Sequence, residues 1–128
     1  MNVVDTSGWI EYFGEGPNAA FFAPIVENTD ELVVPVVILA EVFKRVLQSH
    51  GDGAALKAIA AMQRGQVVNL DSTTAMSAAH LSLRHQIPLI DSIVLAAARA
   101  EGATLWTQDP HFEGILGVRF LEASRDLA

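Results

Sequence analysis

Four carboxylates define the chemistry open to this chain. Asp5 directly follows the β-branched pair Val3-Val4, and Asp109 comes just after the apolar run Leu105-Trp106-Thr107. Both therefore sit just past the carboxyl end of an expected strand, which in an open α/β sheet is where ligands bind, near the point at which strand order reverses. Glu41, within Leu39-Ala40-Glu41-Val42, lies near the apolar face of an expected helix, and Asp91 lies in the first turn of another. If the strand near Thr107 pairs beside the strand near Val4, Asp5 and Asp109 share a crevice that Glu41 and Asp91 can reach. Two carboxylates about 4 Å apart repel by roughly 4 kcal/mol at an effective dielectric near 20, so four together require compensation. A divalent cation provides it. Hard oxygen donors suit Mg²⁺ or Mn²⁺, and the absence of cysteine and of a paired-histidine motif argues against zinc. Each acid also has a plainer explanation. Asp5, Thr6 or Ser7 can cap a helix through backbone N–H groups, the helix dipole favours Asp91 by about 0.3–1 kcal/mol, and Asp71 reads as a cap or surface residue.

The elements that must hold these acids alternate. Val3-Val4 is a short buried strand, and Trp9, Ile10 and Phe13 recur at helical spacing after it. Gly14-Glu15-Gly16-Pro17 is a turn, with Pro17 opening a second helix to about Asn28 whose apolar face is Phe21, Phe22, Ile25 and Val26. Leu32-Val33-Val34 is a second strand stopped by Pro35. A helix from Val36 to about His50 turns Ile38 or Leu39, Val42, Phe43, Val46 and Leu47 inward. Gly51-Asp52-Gly53 breaks it, and a further helix from Ala54 to Arg64 is expected to face inward through Leu56, Ile59, Ala60 and Met62. Gln66 to Leu70 is a third strand, and Asp71-Ser72-Thr73-Thr74 offers caps for a helix to about Gln86. Asp91 begins the next helix, whose Ala96-Ala97-Ala98 run permits close packing on a sheet and which Gly102 closes. Ala103 to Thr107 and Gly117 to Leu121 are the last two strands, followed by a polar tail.

Strands alternating with helices imply an α/β fold, a three-layer α/β/α sandwich around a parallel sheet of four to five strands, its crossovers right-handed. A length of 128 residues fits one domain spanning 1–128 and buries roughly 65–70% of the unfolded surface. No apolar run approaches the roughly 20 residues of a membrane span, and Asp5 interrupts any signal core at once, so a soluble cytoplasmic protein is expected. The formal charge of −7 runs against nucleic-acid binding. If several acids share one site, however, part of that charge is local and cation-neutralised, and the remainder suits a basic protein partner.

Taken in order, Asp5-Thr6-Ser7 after the first strand, Glu41 in its helix, Asp91 in Pro88-Leu89-Ile90-Asp91-Ser92-Ile93-Val94, and Thr107-Gln108-Asp109-Pro110-His111-Phe112 resemble the PIN-domain nucleases, most closely the VapC toxins of toxin–antitoxin pairs. The resemblance spans the first strand to the last. It implies a PIN-like fold and an acidic pocket that binds Mg²⁺ or Mn²⁺ and hydrolyses RNA. Asp5, Glu41, Asp91 and Asp109 would form the acidic quartet, Glu41 acting directly or through a metal-bound water, with Ser7 and Thr107 as polar supports. It also implies a homodimer neutralised by a VapB-like antitoxin, whose segment covers the site with a basic side chain; the apolar helix around Phe21-Phe22-Ala23-Pro24-Ile25 could contribute to that contact or simply be core. RNA contacts would fall to Lys44, Arg45, Arg84 and Arg99. His111 has no matched role in the family and is expected to be an exposed loop histidine. Two rivals share parts of this pattern. A phospho-acceptor receiver domain would require an acidic neighbour beside Asp5 and a lysine after the last strand, and Phe120-Leu121-Glu122 lacks it. A non-catalytic PIN scaffold would not need all four acids.

Overall fold

Strand β1 (Asn2–Val4) holds the centre of the sheet, and Val3 and Val4 are fully buried. The computed structural model describes residues 1–123, so the expected polar tail falls largely outside the described residues, at 124–128. After β1 come α1 (Thr6–Phe13), α2 (Ala19–Val26), a 3₁₀ turn (Thr29–Glu31), β2 (Val33–Pro35) and α3 (Val36–Met62). They are followed by β3 (Gln66–Val68), α4 (Ser72–His85), α5 (Leu89–Ala100), β4 (Thr104–Thr107), a second 3₁₀ turn (Pro110–Phe112) and β5 (Val118–Phe120).

All strand pairs are parallel. β1 pairs with β4 in the register Val4↔Trp106, β4 with β5, and β2 with β3. An isolated bridge between Asn2 and Leu32 joins the two groups, giving the spatial order β3-β2-β1-β4-β5. The chain steps outward from β1 to β3 and then returns to the other side of β1, so strand order reverses between β1 and β4. Right-handed crossovers place α1 to α3 over one face and α4 and α5 over the other. Burial agrees with this layout: β2 is buried along its whole length, whereas the edge strand β3 is largely exposed.

Several local features depart from the periodicity. Pro17 stays in the turn and α2 starts at Ala19, because Asn18 is held outside the helix by side-chain bonds to Gln108 Oε1 (3.0 Å) and the Glu122 carbonyl (3.1 Å). Pro35 ends β2 from within rather than from beyond it, and its fixed extended backbone leads straight into α3. α3 is kinked where expected, at Gly51, whose φ of 84° suits glycine. Beyond the kink the inward face is Ala55, Ala58 and Met62, while Leu56 is 63% exposed. In so alanine-rich a segment Ala55 and Ala58 set the face that approaches the neighbouring elements, so Leu56 marks the wrong face and Ala60, also expected inward, is exposed. Phe22 and Val26 are buried and Phe21 and Ile25 pack partly against the core, so the apolar face of α2 is committed inward while Ala20 and Pro24 stay exposed.

Gly8 is where α1 comes closest to the sheet. A Cβ there would lie 2.5 Å from Val4 Cγ1 and 2.7 Å from Phe22 Cε1. Gly8→Ala is therefore expected to destabilise the fold by about 1–3 kcal/mol through overpacking, read as a lower urea midpoint with an unchanged slope. A midpoint equal to wild type would show that β1 and α2 can yield.

Candidate functional site

Asp5 occupies the switch point between β1 and β4 and caps α1 as well. Its Oδ1 accepts from Gly8 N (3.2 Å) and Ser7 Oγ (2.7 Å), and its Oδ2 accepts from Thr107 Oγ1 (2.8 Å). Capping and a site role are thus compatible, since Oδ2 retains acceptor capacity after one bond. Ser7 and Thr107 each have a single hydroxyl proton, and both protons are directed at Asp5. Their 3.3 Å contact with each other is accordingly long. The same hydroxyl oxygens accept backbone N–H groups from the loop after β4, Gln108 N to Ser7 (3.2 Å) and Asp109 N to Thr107 (2.9 Å). One buried carboxylate and two hydroxyls therefore fix the start of the loop that carries Asp109.

Asp5 is only 4% exposed. Burial drives its pKa up to about 6, partly offset by the Ser7, Thr107 and Gly8 hydrogen bonds and reinforced by the charge of Asp109. Asp91, in the first turn of α5, is also raised, first by burial and then by the charges of Asp109 and Glu41, with the His111 hydrogen bond opposing. Glu41 projects from α3 and accepts from Thr6 Oγ1 at 2.7 Å. The four acids thus come from four separate elements and act on one another electrostatically.

The tightest grouping includes a residue that the sequence pattern assigned no role. One oxygen each from Asp91 and Asp109 and a ring nitrogen of His111 lie within 4.8 Å of one another. His111 Nδ1 is 2.9 Å from Asp91 Oδ2 and 3.3 Å from Asp109 Oδ1. The imidazole is 54% exposed, as expected for a loop histidine, yet it is turned inward. The cause is local. Asp109 caps the 3₁₀ turn Pro110–Phe112 by accepting from His111 N (2.9 Å), which folds His111 back over the acids. An Asp-Pro-His sequence directly after a strand carries that signal, because Asx capping and the fixed φ of proline favour a tight turn. Asp5 and Glu41 stand outside this grouping among the described residues, Asp5 joined to it through Thr107.

As a donor set, two carboxylates and one imidazole within this radius fit a divalent cation, the carboxylates suiting Mg²⁺ or Mn²⁺ and the imidazole shifting preference away from Mg²⁺. Lys44 and Arg45 are exposed on α3 beyond Glu41, and Arg84 and Arg99 are exposed on α4 and α5. Among the described residues no helix is long and apolar enough to cross a membrane.

The sequence model for the PIN domain matches residues 3–115. No curated protein matches the chain. Among solved structures, a toxin–antitoxin complex from Klebsiella pneumoniae aligns with a TM-score of 0.78 at 23% identity, covering 93% of this chain and 96% of that one. VapC20 of Mycobacterium tuberculosis, described as a sarcin–ricin loop cleaving toxin, aligns at 0.72 and 21% identity, covering 93% and 99%. VapBC2 of Rickettsia felis, bound to a DNA fragment of its promoter, aligns at 0.72 and 16% identity, covering 96% and 98%. At these identities the structural likenesses establish a shared fold.

Proposed function

The chain belongs to the PIN domain family, and from that premise we propose that it is a metal-dependent endoribonuclease acting as the toxin of a VapBC-type toxin–antitoxin pair. The observation that carries this reading is the convergence of Asp91, Asp109 and His111 donor atoms within 4.8 Å, beside buried Asp5 at the switch point of the sheet. Asp91 and Asp109 would hold Mg²⁺ or Mn²⁺ with Asp5 joining through Oδ2, and Glu41 would complete the set directly or through water. A bound ion would polarise a phosphoryl oxygen and lower the pKa of an attacking water. The chain's own part is positional. Ser7 and Thr107 fix Asp5 and the loop of Asp109, and Thr6 fixes Glu41. The single domain of 1–128, action in the cytoplasm, a homodimer and a VapB-like antitoxin belong to the same proposal. Relatives of this fold crystallised as toxin–antitoxin complexes support the antitoxin, as does an acidic site that a basic side chain would neutralise.

Sequencing of RNA ends after brief expression tests it. Wild type should generate recurrent new ends that Asp5→Asn does not, and identical end profiles would reject the reading. The metal is tested separately. Mn²⁺ at 100 times its Kd should stabilise the fold by about 2.7 kcal/mol if it binds only the native state. His111→Ala should weaken Mn²⁺ binding more than Mg²⁺ binding, since imidazole favours the softer ion. Equal losses for the two ions in thermal-shift titrations would place His111 outside the coordination sphere.

A further inference from the structure

Asn18 stands at the N-cap of α2, yet its side chain makes no capping bond to that helix. An asparagine in this position ordinarily turns its Oδ1 to the N–H groups of the first helical turn. Here the carboxamide reaches across to the other end of the chain, and Nδ2 donates to Gln108 Oε1 (3.0 Å) and to the Glu122 carbonyl (3.1 Å). We propose that Asn18 is a positioning residue for the acidic site: through Gln108 it holds the loop after β4 that presents Asp109 and His111 to a metal ion. The inference rests on the metal-dependent nuclease reading and adds to it a residue outside the acidic quartet.

The orientation of the carboxamide follows from its partners. A backbone carbonyl only accepts, so the Asn18 atom facing Glu122 is nitrogen, and the second N–H of that nitrogen is the one Gln108 Oε1 accepts. Both amide protons are thereby engaged by residues 90 and 104 positions away in sequence. Gln108 is held twice as a result. Its backbone N donates to Ser7 Oγ (3.2 Å), whose own proton goes to Asp5 Oδ1 (2.7 Å), while its side chain is bonded to Asn18. The residue immediately before Asp109 is thus fastened toward α1 by its main chain and toward α2 by its side chain. The Glu122 bond acts on the neighbouring strand. Leu121 N donates to the Thr107 carbonyl (3.0 Å), one residue past β5, and Asn18 takes up the carbonyl of the residue after that. The β4–β5 pairing is therefore closed at the rim where the Asp109 loop departs.

What carries Asn18 is firmly seated. The turn before it is pinned by bonds from Gly16 N to the Glu11 carbonyl (3.0 Å) and from Ala19 N to the Gly16 carbonyl (2.9 Å). α2 rests on β4 through Phe21, whose ring centroid lies 5.4 Å from that of Trp106, and through buried Phe22. A group mounted on a packed element can fix a loop to a given geometry, which a long exposed side chain could not. Asn18 and Gln108 are both half-buried, so water competes less for their bond. A purely stabilising pair could have formed anywhere on this surface. The forgone cap, and a partner directly beside Asp109, favour placement of the loop.

The test uses the full chain. Serine caps a helix as well as asparagine does, but it has one donor proton on a shorter side chain, so Asn18→Ser separates capping from positioning. Mn²⁺ affinity is read by thermal-shift titration, RNA affinity by anisotropy of a labelled strand in EDTA, and cleavage by single-turnover kinetics. Asn18→Ser should weaken Mn²⁺ binding by about 10-fold, the lower end of the usual cost of losing an outer partner of a metal ligand. Cleavage at sub-saturating Mn²⁺ should slow to match, with RNA affinity unchanged. Gln108→Ala should do the same, and the double variant should lose no more than the worse single, because the two residues act as one unit. Mn²⁺ affinity within about twofold of wild type in both variants overturns the inference, even if the metal-free melting temperature falls, and additive losses overturn it as well. Should Asn18→Ser fail to fold, Gln108→Ala decides alone by the same limit. If wild type binds Mn²⁺ but leaves RNA intact, the nuclease reading fails, and weakened Mn²⁺ binding in both variants still upholds the role of Asn18. A wild type that binds no Mn²⁺ overturns both.

Discussion

Asp91→Asn is expected to lower RNA cleavage by at least about 10²–10³-fold at saturating Mn²⁺, the usual cost of losing one electrostatic group aimed at developing charge. The fold should survive, because an amide fits the volume of the carboxyl and the native site already disfavours charge on Asp91 through burial and the neighbouring Asp109 and Glu41. The loss should appear in kcat more than in RNA affinity, since removing a negative charge from the cleft does not weaken attraction for phosphate. Single-turnover cleavage beside an anisotropy titration separates the two. Cleavage within about tenfold of wild type would place the chemistry elsewhere, whatever the family.

The second large effect concerns pH in the absence of metal. The carboxyl of Asp5 has a pKa of about 6 when folded against a usual 3.8, so between these values the native state holds more protons than the unfolded chain. Stability must therefore fall as pH rises through this window, by up to about 3 kcal/mol from Asp5. Below it both states are protonated and the difference vanishes. Asp91 is shifted in the same direction and adds to the slope. Asp5→Asn, which keeps an oxygen to accept from Gly8 N, should flatten much of this dependence and make the metal-free protein more stable near pH 7. Urea melts of both proteins at pH 4.5 and 7 decide it. A variant less stable than wild type at pH 7 would mean that the hydrogen bonds of the carboxylate outweigh its burial. A site whose inactive variant is the more stable protein is one that retains strain for function.

The fold was largely legible because its signals are local and agree with one another. Val3-Val4 followed by Asp5, and Leu105-Trp106-Thr107 followed shortly by Asp109, place two acids at strand ends, and the pairing of β1 with β4 brings those ends together. Asp71 caps α4 as its position suggested, accepting from Thr74 N at 2.8 Å. Features decided by packing were less legible. Nothing in the period of Ala54 to Arg64 shows that Ala55 and Ala58, rather than Leu56, face the core, because alanine contributes to either face of an amphipathic pattern. The role of His111 was hidden for a different reason. Its exposure was foreseeable, but its approach to Asp91 depends on a capped turn of three residues and a helix some twenty positions earlier meeting at the same point. Ser7 and Thr107 could be placed beside Asp5 by resemblance, whereas the direction of their hydroxyl protons follows only from the full set of partners around each oxygen.

The sheet is stitched unevenly. β1 and β2 share one bridge, Asn2 to Leu32, at their amino-terminal ends, and Pro35 has no N–H to offer at the other end. The seam between the two strands is therefore softest along the rim where the acids gather, and Glu41 stands on one bank of it with Asp5 and Asp109 on the other. Among the described residues, the Thr6 hydroxyl makes the side-chain hydrogen bond that joins the banks at this rim. Mutual repulsion of the carboxylates thus falls on the part of the sheet that backbone hydrogen bonds hold least, and the Thr6 bond to Glu41 is what opposes it there.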